Sequence, residues 1–144
     1  MLFRSLAARR LGRQLGRAGR AVWPSGELDS LAREFPKGAH QPVVLGVVAR
    51  AAGLGAADAA YCAAYESVSG PASAVVRLLG LDPFDAVGVS ARLAPEVDGV
   101  VERAVAAARG VAAEGAGVLP AASAPLLEVF AEGHAGWGVR LFAT

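Results

Sequence analysis

The sequence has a single cysteine, Cys62, and only two histidines, His40 and His134. One cysteine excludes an internal disulfide bond, which fits a reducing compartment such as the cytosol. The chain also lacks CxxC, HExxH and GK[ST] motifs, so no spacing indicates a metal centre or a phosphate-binding loop. From this inventory we expect a protein that is not an enzyme and that binds no metal or cofactor directly.

Long apolar runs are also missing, although 54% of the residues are hydrophobic. Arg50 interrupts the run after Pro42, and Asp58 follows soon after, so neither run reaches the ~18–20 apolar residues that a membrane-spanning helix needs. We therefore expect a soluble, cytoplasmic protein.

Aromatic residues make up only 6% of the chain, and most of the hydrophobic content is Ala, Val and Leu. This composition favours helices that pack at short distance. The length of 144 residues suits one domain, 1–144, with a real core. The predicted fold class is all-α, a bundle of about five to seven helices.

Acidic residues are absent from the first 20 positions, which carry six arginines. The rest of the chain has eight basic and 13 acidic residues, a net charge of −5. Helical spacing predicts a basic amphipathic helix within 1–22, although each of its three glycines weakens it by ~1 kcal/mol relative to Ala, so it needs packing to persist. A transit peptide, a membrane-surface helix and a solvated basic face are the other interpretations. The predicted apolar face is Phe3, Leu6, Leu11, Leu15, Ala18 and Val22.

Two short helices are predicted next. Ser25 or Gly26 caps a helix over 27–34, with Leu28, Leu31 and Phe35 inward. Pro42 begins another, which ends at Gly53 and Gly55. Its predicted buried face is Val43, Val44, Val47, Val48 and Ala51.

A longer helix is predicted over 56–80, broken or kinked at Gly70-Pro71. Asp82-Pro83 starts a helix to 93, which bends at Pro95 and resumes to Arg109, and 110–121 reads as a Gly-rich loop. Ser123 caps a last helix through His134, and 136–144 is predicted as a docking tail. The buried face predicted between Pro95 and Arg109 is Val97, Val100, Val101, Ala104 and Val105.

Three polar residues raise specific questions. His40 stands just outside a helix N-terminus, where the helix dipole disfavours a positive ring, so we expect it to hydrogen-bond neighbouring backbone. Cys62 is predicted as a small core residue. Arg77 pairs with Glu66 or reaches water. A weaker alternative is a hydrolase that uses His40 or His134 with Ser67 or Cys62.

Four stretches carry a family resemblance: SLAARRLGRQLGRAGRAVWP, FPKGAHQPVVLGVVARAAGL, YESVSGPASAVVRLLGLDPFDA and SAPLLEVFAEGHAGWGVRLFAT. In this order they resemble the urease accessory protein UreF family. Nothing matches that family's N-terminal motif F-P-x-G-x-x-x-H-S-x-G-x-E, so we expect the chain to begin inside the family's sequence.

The resemblance implies an all-α, non-enzymatic chaperone that forms homodimers. It implies binding to UreD (also called UreH), recruitment of the GTPase UreG, and delivery of nickel to apo-urease, with nickel and GTP handled by the partners. The residues that it implies for partner binding are His40, Arg77, His134, Arg140, Leu141 and Phe142.

Overall fold

A computed structural model describes residues 2–121 and 124–137, with side chains from Ser5 onward and without that of Ala135. Within these ranges the chain is helical and contains no strand, so the predicted all-α class is confirmed. The elements are α1 (Leu2–Val22), α2 (Gly26–Glu34), α3 (Gln41–Ala51), α4 (Ala56–Leu79), α5 (Pro83–Arg92), α6 (Ala94–Glu114), a 3₁₀-helix (Ala116–Val118) and α7 (Pro125–Ala135).

The contacts between these elements divide the chain into two compact units. Unit 1 takes in the described residues of 1–54 and 121–144, and therefore contains α1, α2, α3 and α7. Unit 2 is residues 55–120 and contains α4, α5, α6 and the 3₁₀-helix.

The core of unit 1 forms where α1 and α2 pack against α3. Ser25 caps α2 as predicted, because its hydroxyl accepts a hydrogen bond from the Leu28 N–H at 3.2 Å. Pro42 lies in the first turn of α3, also as predicted. The buried cluster is Leu28, Ala39, Val44 and Val48, with Leu15, Leu31, Val47 and Ala51 against it.

Glycines of α1 make the closest approach to α3. A Cβ atom on Gly12 would collide with the carbonyl oxygen of Ala39, and one on Gly19 would lie 2.6 Å from Cγ2 of Val48. Gly16 leaves ordinary contact distance, 3.5 Å, to Cγ1 of Val44. The residues that weaken α1 as an isolated helix are thus the ones that let it pack tightly.

The predicted apolar face of α1 is wrong in most positions. Leu6, Leu11, Ala18 and Val22 are exposed, and Leu15 is half-buried. The Phe3 side chain lies outside the described residues. Hydrophobic periodicity missed the true face because glycine has no side chain and gives no hydropathy signal.

Unit 2 is built on α4, which contacts both α5 and α6. The predicted break at Gly70-Pro71 is wrong, since α4 runs through Pro71 without interruption, and the alternative, a kink there, stays a prediction. A proline at 71 cannot donate to the carbonyl of Ser67. Both residues are exposed, so water can satisfy that carbonyl. Gly80 ends the helix in the left-handed conformation, with φ +65°.

The second half of unit 2 is more helical than predicted. The Asp82 carboxylate caps α5 by accepting from the Phe84 N–H at 2.8 Å, and α5 ends just before Pro95, as predicted. However, α6 continues to Glu114, so the loop predicted over 110–121 is wrong for 110–114 and begins at Gly115. Val111, Ala112 and Ala113 continue the helical pattern there and outweigh the single interior glycine.

Several predicted buried positions are exposed instead. They are Phe35 and Val43 in unit 1, and Cys62, Val100 and Ala104 in unit 2. Among the described residues of unit 2, Val97 is the one buried hydrophobic side chain, so this unit has little interior. Large apolar side chains of this unit, such as Tyr65, Leu79 and Phe84, are exposed instead.

Unit 1 is completed by α7, which contacts α1. Its N-cap residue is Ala124, which makes no side-chain capping bond, and the predicted cap Ser123 lies outside the described residues.

Of the helices in the described ranges, none is both long and apolar enough to cross a membrane.

Candidate docking surfaces

His40 holds the start of α3 against α1. Its carbonyl oxygen accepts from the N–H groups of Val43 and Val44 at 3.0 and 3.2 Å, and its ring Nε2 shares a 2.9 Å hydrogen bond with the Ser5 hydroxyl. The predicted ring partner, neighbouring backbone, is wrong. Nothing in the local sequence reveals Ser5 as the partner, because it lies one helix away.

Arg9 and Gly38 make the second contact between α1 and this turn. Nη1 of Arg9 donates to the Gly38 carbonyl at 2.9 Å. Gly38 is buried with φ +97°, and a Cβ atom there would lie 2.5 Å from the Arg9 carbonyl oxygen. Only glycine suits both the conformation and the space. We call Ser5, Arg9, Gly12, Gly38 and His40 the clasp, since its α1 members lie three or four residues apart on one helical face.

On α7, His134 is half-buried and its ring meets Trp137 edge-on, with 5.0 Å between centroids and 68° between planes. Trp137 and the neighbouring apolar side chains of α7 are uncovered, being 63–71% exposed. At 100° per residue the four that lie within α7 span about 160° of the helix circumference. We call Leu126, Leu127, Val129, Phe130 and Trp137 the α7 apolar surface.

Arg77 is exposed in the last turn of α4, where its positive charge interacts favourably with the helix dipole. It lines a cavity of about 370 Å³ between α4 and α5, together with Tyr65 and Ser69. Pairing with Glu66, one of the alternatives for Arg77, is disfavoured by the helix geometry. On one continuous helix the two residues lie ~16 Å apart along the axis, beyond the reach of a direct ion pair.

A second cavity, of about 380 Å³, lies in unit 1 between α1, α2 and the turn before α3. Three arginines of α1 line it, and the remaining lining residues are uncharged. Sequence reasoning missed it, although the arginine spacing of four and three residues was a signal for one face. We call it the α1–α2 groove, lined by Arg13, Arg17, Arg20, Leu28, Leu31, Ala32, Phe35, Pro36 and Val44 with Gly12, Gly16, Gly38 and Ala39.

The described residues do not assemble a reactive cluster. They include no group of three or more His, Cys, Asp or Glu that could hold a metal ion. The Ser67 hydroxyl donates to the Ala64 carbonyl of its own helix at 2.6 Å, and the His40 ring is held by Ser5. In these contacts His40 is bonded to Ser5 and Ser67 to its own helix, so neither contact joins Ser67 to His40 as the hydrolase alternative requires.

Within the described residues, the chain is thus an all-α protein whose helices expose apolar and basic surfaces. The UreF family model matches residues 4–94. The chain belongs to the UreF family. No solved structure gives a significant match.

Curated relatives are similar over most of this chain. "Urease accessory protein UreF" of Mycobacterium sp. (strain JLS) is 37% identical, and that of Mycolicibacterium vanbaalenii is 36% identical, each over 96% of this chain and 58% of the relative. The protein of that name from Mycobacterium tuberculosis H37Rv is 33% identical over 89% of this chain and 54% of its own. The chain therefore spans little more than half the length of these relatives.

Of the six partner-binding residues implied by the resemblance, three lie in the described part of the chain, in different places. His40 is in the clasp, Arg77 is at the end of α4, and His134 is beside the α7 apolar surface. Arg140, Leu141 and Phe142 lie outside the described residues. A partner-binding role for these six residues stays a prediction.

Proposed function

We propose that this chain is a urease accessory scaffold, required for nickel insertion into apo-urease in the cytoplasm. In this proposal it binds UreD/UreH, forms a homodimer and recruits the GTPase UreG, while nickel and GTP are handled by those partners. Support comes from membership of the UreF family and from relatives that carry the name "Urease accessory protein UreF".

The observation that carries the proposal is the α7 apolar surface. Leu126, Leu127 and Phe130 would each remove a large apolar area from water on meeting a partner. Apolar anchors at the centre of an interface contribute up to ~2 kcal/mol or more each. We assign this surface, with Arg140-Leu141-Phe142 beyond it, to the UreD/UreH contact.

The test is co-purification of this chain with UreD/UreH. We compare Phe130→Asp with Phe84→Asp, since both phenylalanines are strongly exposed and lie on different units. Phe130→Asp and deletion of Arg140–Phe142 should each reduce retention at least ~10-fold, because a desolvated carboxylate or a lost anchor weakens an apolar contact. Phe84→Asp should retain UreD/UreH.

Equal retention by Phe130→Asp and Phe84→Asp would refute the role of the α7 apolar surface. Full retention after the Arg140–Phe142 deletion would refute the role of the terminal residues. If the unsubstituted chain retains neither UreD/UreH nor UreG, the scaffold proposal itself fails.

A targeting or membrane-surface role for 1–22 is less well supported. Cleavage of that segment would remove the glycine face that packs against Val44 and Val48, and so would open the core of unit 1. An intact N-terminus by mass spectrometry and no binding to liposomes would rule this alternative out.

A further inference from the structure

The α1–α2 groove combines a positive side with an apolar interior. Arg13 and Arg17 are exposed along α1, and no acidic residue is among those that line the groove. Asp29 lies 3.9 Å from Arg20 and offsets the positive charge only at that end of the groove. Neither glutamate of α2 lines the groove: Glu27 is bound to Arg50 of α3 at 3.2 Å, and Glu34 is also absent from the lining.

The interior is suited to side-chain anchors. Leu28 and Val44 form a buried base, Leu31 and Ala32 are half-buried, and Phe35 is exposed. A concave, mostly apolar volume of about 380 Å³ beside a charged side is typical of sites that take an amphipathic segment.

We propose that the α1–α2 groove binds an acidic amphipathic helix of another protein. Apolar side chains of that helix enter between Leu31 and Phe35, and its carboxylates pair with Arg13 and Arg17. This inference uses a different surface from the α7 apolar surface and does not depend on the proposed urease role.

The arginine spacing sets the pattern of the occupant. Arg13, Arg17 and Arg20 are separated by four and three residues, hence by ~6 and ~4.5 Å along α1. Glu or Asp at the same four- and three-residue steps on a helix that runs alongside α1 would place each carboxylate opposite a guanidinium. Arginine forms bidentate hydrogen bonds with carboxylates, so this arrangement would strengthen binding.

Other occupants fit fewer of these features. Nucleic acid would use the arginines but leave the apolar interior empty, and a flat lipid surface cannot enter a concave groove. A second copy of this chain could offer α7, but its Glu128 and Glu132 already have interactions within the structure. The acidic helix of another protein satisfies both the charge and the apolar interior.

The experiment measures binding of the whole chain to a synthetic, fluorescent helical peptide of about 14 residues. The peptide carries Glu at four- and three-residue steps and Leu on the adjoining positions. Matched probes are a scrambled peptide of the same composition, a single-stranded oligonucleotide, and phosphatidylserine vesicles. The charge-reversed variant is Arg13→Glu/Arg17→Glu, and its control is Arg10→Glu/Arg103→Glu, which makes the same charge change at exposed positions outside the groove.

We expect Kd for the patterned peptide to rise about 10-fold or more in the charge-reversed variant and less than about twofold in the control. Phe35→Ala should weaken binding about fivefold, and the scrambled peptide should bind about 10-fold more weakly than the patterned one. Circular dichroism melting checks that every variant folds.

The proposal is overturned if the patterned and scrambled peptides bind alike, if neither binds, or if the charge-reversed variant binds like the control. It is also overturned if the oligonucleotide or the vesicles bind more tightly than the patterned peptide. Self-association that the charge-reversed variant abolishes, seen by sedimentation, would replace the proposed partner with a second copy of this chain.

Discussion

Ser5 and His40 are 35 positions apart in the sequence, and the Ser5 hydroxyl lies 2.9 Å from Nε2 of the His40 ring. This hydrogen bond ties the first turns of α1 to the start of α3. Together with the bond from Arg9 to the Gly38 carbonyl, it holds the turn before α3 against α1. His40 therefore has a structural role in the clasp.

The Ser5–His40 bond should contribute measurably to stability. Ser5→Ala should lower the free energy of unfolding by about 1 kcal/mol, because a partly buried hydrogen bond is lost. Urea unfolding of Ser5→Ala, His40→Ala and the double variant forms a double-mutant cycle. Losses that simply add, with no coupling between the two sites, would contradict the assigned bond.

Gly12 should not tolerate a side chain. Gly12→Ala should lower the free energy of unfolding by about 2 kcal/mol or more, since its Cβ meets the Ala39 backbone, which cannot move aside. Gly46→Ala is the control, because Gly46 is helical with open space around its Cβ position. That change should stabilise by about 0.5–1 kcal/mol. Thermal melting gives the change in Tm for each variant, and equal changes would refute the close approach of Gly12 to the Ala39 backbone.

Gly38 combines a left-handed backbone with a close neighbour, whereas Gly53 has the backbone without the neighbour. Gly53→Ala, at φ +80° in open space, should destabilise by about 1–2 kcal/mol from strain alone. Gly38→Ala should destabilise by more, because the added Cβ also approaches the Arg9 carbonyl. Chemical denaturation of both variants gives the difference, and a smaller loss at Gly38 would contradict the clasp.

Pro71 lies inside α4 and removes one backbone hydrogen bond. Pro71→Ala should therefore stabilise unit 2 by about 1–3 kcal/mol. Pro83→Ala is the control, because Pro83 is in the first turn of α5, where its missing N–H is not needed. Hydrogen exchange of α4 amides reports the effect. Unchanged protection in Pro71→Ala would show that α4 already accommodates the proline without loss.

Helix positions were the most predictable part of this fold. The caps at Ser25 and Asp82 and the proline in the first turn of α3 use local rules, and the structure follows them. The break at Pro71 was wrong because helix geometry tolerates a proline when the orphaned carbonyl is exposed.

Packing faces were much less predictable. The α1 contact is made by glycines, which carry no hydrophobic signal, and the exposure of Cys62 and Val100 follows from how little interior unit 2 has. The clasp could not be foreseen either, because Ser5 and His40 meet only after α1 packs against α3. The basic side of the groove was visible as arginine spacing, but its apolar interior needed α2 in place.

The division of unit 1 between two stretches of chain bears on the order of synthesis. When α1 leaves the ribosome, α7 is still untranslated, and all of residues 55–120 must be made before the two can meet. A nascent chain released early would carry the clasp but would have no α7 to place on α1. Partners that recognise α7 would therefore engage only polypeptides whose translation had passed residue 135.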